Sequence, residues 1–207
     1  MNEYSVLQQN VEPWLRKITA NIQAHPSNQH YTNKSLFPVF AAGSKSKIVI
    51  VGQAPGIKAQ TTHVPWNDPS GDRLRDWLGV SKDIFYDTDI FSLMPMDFYY
   101  PGKAAQGDLP PRKDFASMWH AQLLQHMPNV ETVILAGSYA INYYLKYSKR
   151  KNLTHTVKYF HEYLPDYFPL VHPSPLTTYW RSQNEWFGND VLPVLKQHVA
   201  SIIDKCK

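Results

Sequence analysis

Ile48-Val49-Ile50-Val51-Gly52-Gln53-Ala54-Pro55-Gly56 decides the fold. Four β-branched residues in a row, with no polar residue among them, read as a strand buried on both faces, the kind parallel sheets contain. Gly52 to Gly56 ends that strand in a tight turn whose backbone N–H groups suit a carbonyl oxygen or a phosphate at close range. Outward from this stretch, apolar runs alternate with helical patterns. A second strand is expected within Ile84–Met94, a third over Val130–Ala136 and a fourth over Tyr167–Val171, ending at His172. Leu7, Val11, Trp14, Leu15, Ile18 and Ile22 recur at helical spacing, with Pro13 as a start or kink. Asp68-Pro69 reads as N-cap and first residue of a helix carrying Leu74, Trp77 and Leu78, which Gly79 stops. Further helices are expected on Phe115, Met118, Trp119 and Leu123, after Gly137-Ser138, and on Val191, Leu192, Leu195, Val199 and Ile202.

This alternation predicts an α/β fold with a parallel sheet covered on both faces, whose ligands sit beyond the carboxyl ends of the strands. Gly52–Gly56 and His172-Pro173-Ser174-Pro175-Leu176 both fall at that edge. One domain over residues 1–207 is expected, with an N-terminal helical segment at 1–24, a loop at 25–47 and the α/β core at 48–207. Met96–Arg112 is a long Pro/Gly/Tyr loop, and loops of that length are commonly functional.

Composition narrows the function classes. With 43% hydrophobic and 18% charged residues, and 13 Tyr, 9 Phe and 6 Trp, the chain is neither disordered nor collagen-like. No apolar run reaches the length of a membrane span, and Met1–Trp14 lacks the pattern of a signal peptide, so a cytoplasmic protein with no membrane partner is expected. The single cysteine, Cys206, excludes an internal disulfide and a Cys-ligated metal or iron–sulfur cluster within one chain. The histidines show no H-x-x-x-H or HExxH spacing, so no metal site is expected. A net charge of +4 permits an anionic partner without requiring one, and the basic run Lys146–Lys151 suits a phosphate contact, although a solvated loop of cations is the commoner explanation.

GQAPG paired with HPSPL resembles the two signature motifs of the uracil-DNA glycosylase superfamily. The resemblance runs from Ile48 to the C-terminal helix and takes in Val64-Pro65-Trp66, the run Val130–Gly137 and the segment Arg181–Gly188 after motif two. It implies a three-layer α/β/α fold with a central four-stranded parallel sheet. The implied activity is a monofunctional DNA glycosylase of base-excision repair that works as a monomer, flips the base from DNA and hydrolyses its N-glycosidic bond without a cofactor. The classical members carry an Asp in motif one where Ala54 stands here, and the iron–sulfur class carries a Glu where Gln53 stands. An amide takes no proton from water. A further class supplies its acid from a stretch similar to Pro65-Trp66-Asn67-Asp68-Pro69-Ser70-Gly71, which makes Asp68 the catalytic candidate, with Asp72 as the alternative one turn on. Asp68 reads equally as a helix cap, and the two roles are compatible.

The remaining assignments follow the same resemblance. His172 would stabilise the leaving base as charge develops on it. Gly52, Gln53 and Ala54 would contact the base, Trp66 would stack on it, and Asp89 stands where a base-reading residue is expected, although a carboxylate has no amide donor for uracil's carbonyl. Leu176, on a proline-bracketed loop, would wedge into the base stack, and Ser174, Arg181 and Lys103 would meet DNA. Two alternatives use the same residues: a nucleic-acid-binding or damage-sensing module without catalysis, and a pocket for free nucleobases or nucleosides.

Overall fold

The computed structural model describes residues 11–105, 107–147 and 152–205. Leu7, Cys206 and most of the Lys146–Lys151 run lie outside the described residues. Four strands form one parallel sheet, β1 (Ile48–Val51), β2 (Phe91–Leu93), β3 (Thr132–Ala136) and β4 (Tyr167–Leu170), in the order β2-β1-β3-β4. The β1, β2 and β3 residues are all buried, including the polar Ser92 and Thr132, as a parallel sheet covered on both faces requires. Pro169 occurs within β4, which the sheet tolerates because β4 is an edge strand with one unpaired side.

Among the helices that flank this sheet are α1 (Pro13–Ala24), α2 (Ile57–Thr62), α3 (Pro69–Leu78), α4 (Phe115–Leu124), α5 (Ser138–Tyr144), α6 (Leu153–Lys158) and α7 (Leu192–Asp204). α1 packs on α4 and α3 packs on α7, so the strands are covered on both faces in the three-layer α/β/α arrangement. α1 starts at Pro13 and buries Leu15, Ile18 and Ile22 at the expected spacing. α3 has the expected punctuation at both ends: Asp68 as N-cap, Pro69 in the first turn, and Gly79 at φ 70° as the left-handed stop. The segment read as a loop before β1 is not structureless, since it holds short helical turns at Pro26–Asn28 and Gln29–Thr32. Its tail also bonds to β2, where Ala41 and Leu93 exchange N–H···O=C bonds of 3.0 and 2.7 Å.

The long loop after β2 is pinned from below. Asp97, fully buried, accepts from Arg112 at 2.7 and 2.8 Å, and the guanidinium also lies over the rings of Tyr31, Tyr99 and Phe115. A carboxylate without solvent needs such a partner, and the pair closes the loop on itself. His120 of α4 holds the start of the loop, donating from Nε2 to the Pro95 carbonyl at 3.0 Å while Nδ1 accepts from the Tyr144 hydroxyl at 2.8 Å. Burial pushes the His120 imidazole down to about 4, so it is neutral at pH 7 and this donor–acceptor order is the one chemistry allows.

Among the described residues, no helix is long and apolar enough to cross a membrane, and no group of His, Cys, Asp and Glu is arranged to hold a metal ion.

Candidate active site

In this strand order the chain runs from β1 out to β2 and then back across to β3, so the carboxyl ends of β1 and β3 flank the point where the winding reverses. A cavity of about 320 Å³ opens there. Its walls come from the turn after β1, from Pro95 after β2, from Tyr139 after β3 and from the loop after β4, which supplies His172, Ser174 and Leu176. The volume is at the lower end of small-ligand pockets.

Gly52 and Trp66 form the floor. A Cβ at Gly52 would lie 2.5 Å from the Trp66 ring, so only glycine lets the indole settle on the β1 turn. Trp66 sits at φ 58°, a left-handed backbone that a bulky residue adopts at a cost of about 1–3 kcal/mol unless its surroundings dictate it. Here they do. Tyr86 donates to the Pro65 carbonyl at 2.8 Å, the Arg75 guanidinium reaches the Trp66 carbonyl at 3.4 Å, and that carbonyl occupies the space a Gly71 side chain would need.

Asp68 caps α3, its Oδ1 accepting the Gly71 N–H at 2.9 Å. Its extended backbone, φ −154° and ψ 174°, turns the side chain back toward the cavity, which it lines, and Oδ2 points over Gly56. Asp72 does not share this position. Following on in regular helix, its carboxylate is 77% exposed and ion-paired with Arg75 at 2.6 Å, outside the cavity, so the one-turn-on alternative fails on geometry. Its effect on the cavity is indirect, through the arginine that holds the Trp66 carbonyl.

His172 packs against Gly137, which takes φ 99° to leave it room, and its ring lies 5.6 Å from Trp66 with the planes 27° apart. Burial pushes the imidazole down to about 4, against the opposing pull of the Asp68 charge, so the group entering the cavity at pH 7 is a neutral imidazole. The loop that follows is held by its own hydrogen bonds. Ser174 Oγ accepts the Leu176 N–H at 3.1 Å, Thr177 Oγ1 donates to the His172 carbonyl at 3.0 Å, and Arg73 of α3 donates to the Pro173 carbonyl at 2.8 Å. Leu176 is 74% exposed at the rim of the cavity. Tyr179, three residues on, is 76% exposed.

Gln53 and Ala54 line the cavity, and the Gln53 amide donates at 3.2 Å to the Leu109 carbonyl. That bond ties motif one to the turn between Gly102 and Leu109, which closes with Leu109 N–H to Gly102 O at 2.9 Å and brings Gly107 and Asp108 into the cavity wall.

Asp89 is a correction. It precedes β2, at the amino edge of the sheet, where its 59% exposed carboxylate pairs with Lys45 at 3.0 Å. The cavity occupies the opposite edge, and the residue this strand delivers to it is Pro95. Arg181 is likewise not brought into the cavity: its guanidinium lies 5.9 Å from the Trp77 ring, beside a neighbouring cleft, and donates to Thr178. Lys103 is exposed beside the mouth, 3.9 Å from the Asp108 carboxylate, without lining the cavity. Asp108, Tyr139 and Arg73 were not legible as site residues. Tyr139 had a signal, since it follows the third strand at the ligand-bearing edge, whereas Asp108 lies in the middle of a loop with no periodicity to place it.

The model for the uracil DNA glycosylase superfamily matches residues 38–196, from the segment that bonds to β2 into the final helix. That span contains every wall of the cavity. Together with the four-stranded parallel sheet flanked by helices, the match shows that the chain belongs to the uracil DNA glycosylase superfamily, whose members are in general DNA glycosylases.

Proposed function

We propose that the chain is a monofunctional DNA glycosylase that hydrolyses the N-glycosidic bond of a uracil-like or otherwise modified base after flipping it out of the stack. The observation that carries this reading is the shared cavity of Asp68 and His172: a carboxylate oxygen and a neutral imidazole face one space of nucleobase size. Asp68 orients the attacking water and favours the positive charge that develops on the sugar. His172 donates a hydrogen bond to the leaving base as it becomes anionic, an interaction that strengthens in the transition state. Trp66 offers its face to the base, and the amides of the Gly52–Ala54 turn address its edge. Leu176, exposed on a loop braced by Arg73, fills the vacated stack. No cofactor enters these steps, and damaged or modified DNA is the partner they require.

The capping bond does not compete with catalysis. Asp68 spends one oxygen on α3 and keeps the other for the cavity, so the helix cap also fixes the orientation of the acid. A second reading, a DNA-binding module without turnover, draws on Gln53, whose amide is engaged with Leu109 and is no base.

Strand scission of oligonucleotides carrying uracil, hypoxanthine, xanthine or bulky modified pyrimidines, in duplex and single strand, separates the readings. Excision of one of these bases, lowered roughly 10²-fold or more in Asp68→Asn, is the expected outcome. Salt-dependent duplex binding with no excision would favour the module. Binding of free nucleobases without affinity for DNA would overturn both.

A further inference from the structure

Gly56 is a glycine that its own backbone does not need. It precedes α2 at φ −73° and ψ 169°, angles open to any residue, and it gives that helix no side-chain cap where Ser or Asp would supply one. What the missing side chain leaves is space with an unusual boundary. The nearest atoms to a Cβ built there are two carboxylate oxygens, Asp68 Oδ2 at 3.5 Å and Asp108 Oδ2 at 3.9 Å.

The two acids arrive from separate elements and are held in the same way. Asp68 uses Oδ1 to cap α3. Asp108 uses Oδ1 toward the Tyr100 hydroxyl at 3.4 Å and Lys103 Nζ at 3.9 Å. Neither Oδ2 accepts a hydrogen bond from any described residue, and both face the volume over Gly56 in the cavity wall. Ionised carboxylates only accept, so a single small molecule that donates twice can bridge them.

We propose that this space seats the hydrolytic water, and that Asp108 is a second catalytic carboxylate acting with Asp68. The inference rests on the glycosylase reading above. A water that donates one O–H to each carboxylate turns its lone pairs away from both acids, and two acceptors fix an orientation that one leaves free. In the reaction the water oxygen bonds to the anomeric carbon of the sugar. The glycosidic C–N bond breaks, its electron pair leaves on the base nitrogen, and the water's proton passes to one of the two carboxylates. The pair supplies the function that an acid in the turn after β1 would otherwise have, in a chain with an amide at Gln53 and a methyl at Ala54.

Gly56→Ala is the informative variant, because its methyl group fills the seat at ordinary contact distances and demands no backbone change. Crystals of the DNA-free protein are expected to show an ordered water within about 3 Å of both Oδ2 atoms, and Gly56→Ala, with its melting temperature kept, is expected to lack it. Single-turnover excision should slow by roughly 10²-fold in Asp108→Asn and in Gly56→Ala while duplex binding is retained. The Asp68→Asn/Asp108→Asn double variant should be at most about tenfold slower than Asp68→Asn, since both side chains act on one molecule. Absence of the water, an Asp108→Asn rate equal to wild type, or a double variant whose loss is the product of the singles overturns the proposal. A wild-type chain that excises no base overturns the glycosylase reading instead, and the electron density then judges the seat alone.

Discussion

The Trp66 indole and the His172 imidazole lie 5.6 Å apart with their planes 27° from parallel, the indole resting against Gly52. The position of the indole in the cavity is therefore set by the absence of one side chain on β1's turn. Gly52→Ala should displace the indole, because its Cβ would come within 2.5 Å of the ring while the Trp66 backbone is held by Tyr86 on the Pro65 carbonyl, Arg75 on its own carbonyl and the close packing on Gly71. The variant is expected to remain folded, with excision lost and base affinity in single-stranded DNA reduced by about tenfold or more. Melting curves and binding isotherms, compared with a Trp66→Phe control that retains a stacking face, check this.

His172 enters the cavity neutral, since burial holds its imidazole at about 4. A donor in that state has no proton to lose as pH rises through 6.5. The single-turnover rate should therefore show no alkaline decline attributable to this residue between pH 6 and about 8. A profile that falls tenfold per pH unit above 6.5 would mean the reacting form is the imidazolium.

The same depression has a stability consequence, shared with His120, whose imidazole is also held at about 4. Between pH 4 and the unfolded value near 6.5 the unfolded chain binds more protons than the native one, so stability rises with pH across that window and levels off above it. Each histidine contributes on the order of 3 kcal/mol to the difference. The melting temperature should climb from pH 4.5 to 6.5, and His120→Gln should flatten the climb.

Leu176→Ala should slow excision from duplex DNA far more than from single strands, because an exposed apolar side chain at the rim has a stack to fill only in the duplex. At 74% exposure the residue has little packing to lose, so the melting temperature should not move. An unchanged duplex-to-single-strand rate ratio would remove Leu176 from the mechanism.

Arg112→Met should cost about 3–5 kcal/mol, because it strands the fully buried Asp97 carboxylate. Chemical denaturation measures the loss, and adding Asp97→Asn should recover part of it. Since the pair closes the loop that carries Asp108, excision should fall more steeply on heating than in wild type.

Legibility in the sequence tracked how local each determinant is. The β1 run, the Asp68-Pro69 start of α3 and its Gly79 stop depend on neighbouring residues, and each was readable from a short window. The place of His172 in the cavity wall was readable because it lies two residues past the end of β4, and strand ends face the ligand edge. Asp89 misled because its place in the sequence did not say where β2 begins; the strand starts at Phe91, which leaves Asp89 at the edge opposite the cavity. Asp72 misled through helical periodicity, which does not hold across an N-cap whose backbone is extended. Asp108 owes its position in part to a contact made far along the chain, the Gln53 amide on Leu109, and in part to side-chain contacts inside its own loop, with Tyr100 and Lys103 and through the Arg112–Asp97 pair, which follow no helical or strand period.

The bond from Arg73 to the Pro173 carbonyl joins α3, which Asp68 caps, to the loop that carries His172 and Leu176. One guanidinium thereby links Asp68, His172 and Leu176, the acid, leaving-group donor and wedge of the proposed reaction. If that loop tilts when it meets a bent duplex, the carboxylate tilts with it, so engagement of the helix groove and alignment of the nucleophile become one mechanical event. A loop transplanted to another scaffold without its arginine would keep the wedge and lose that synchrony.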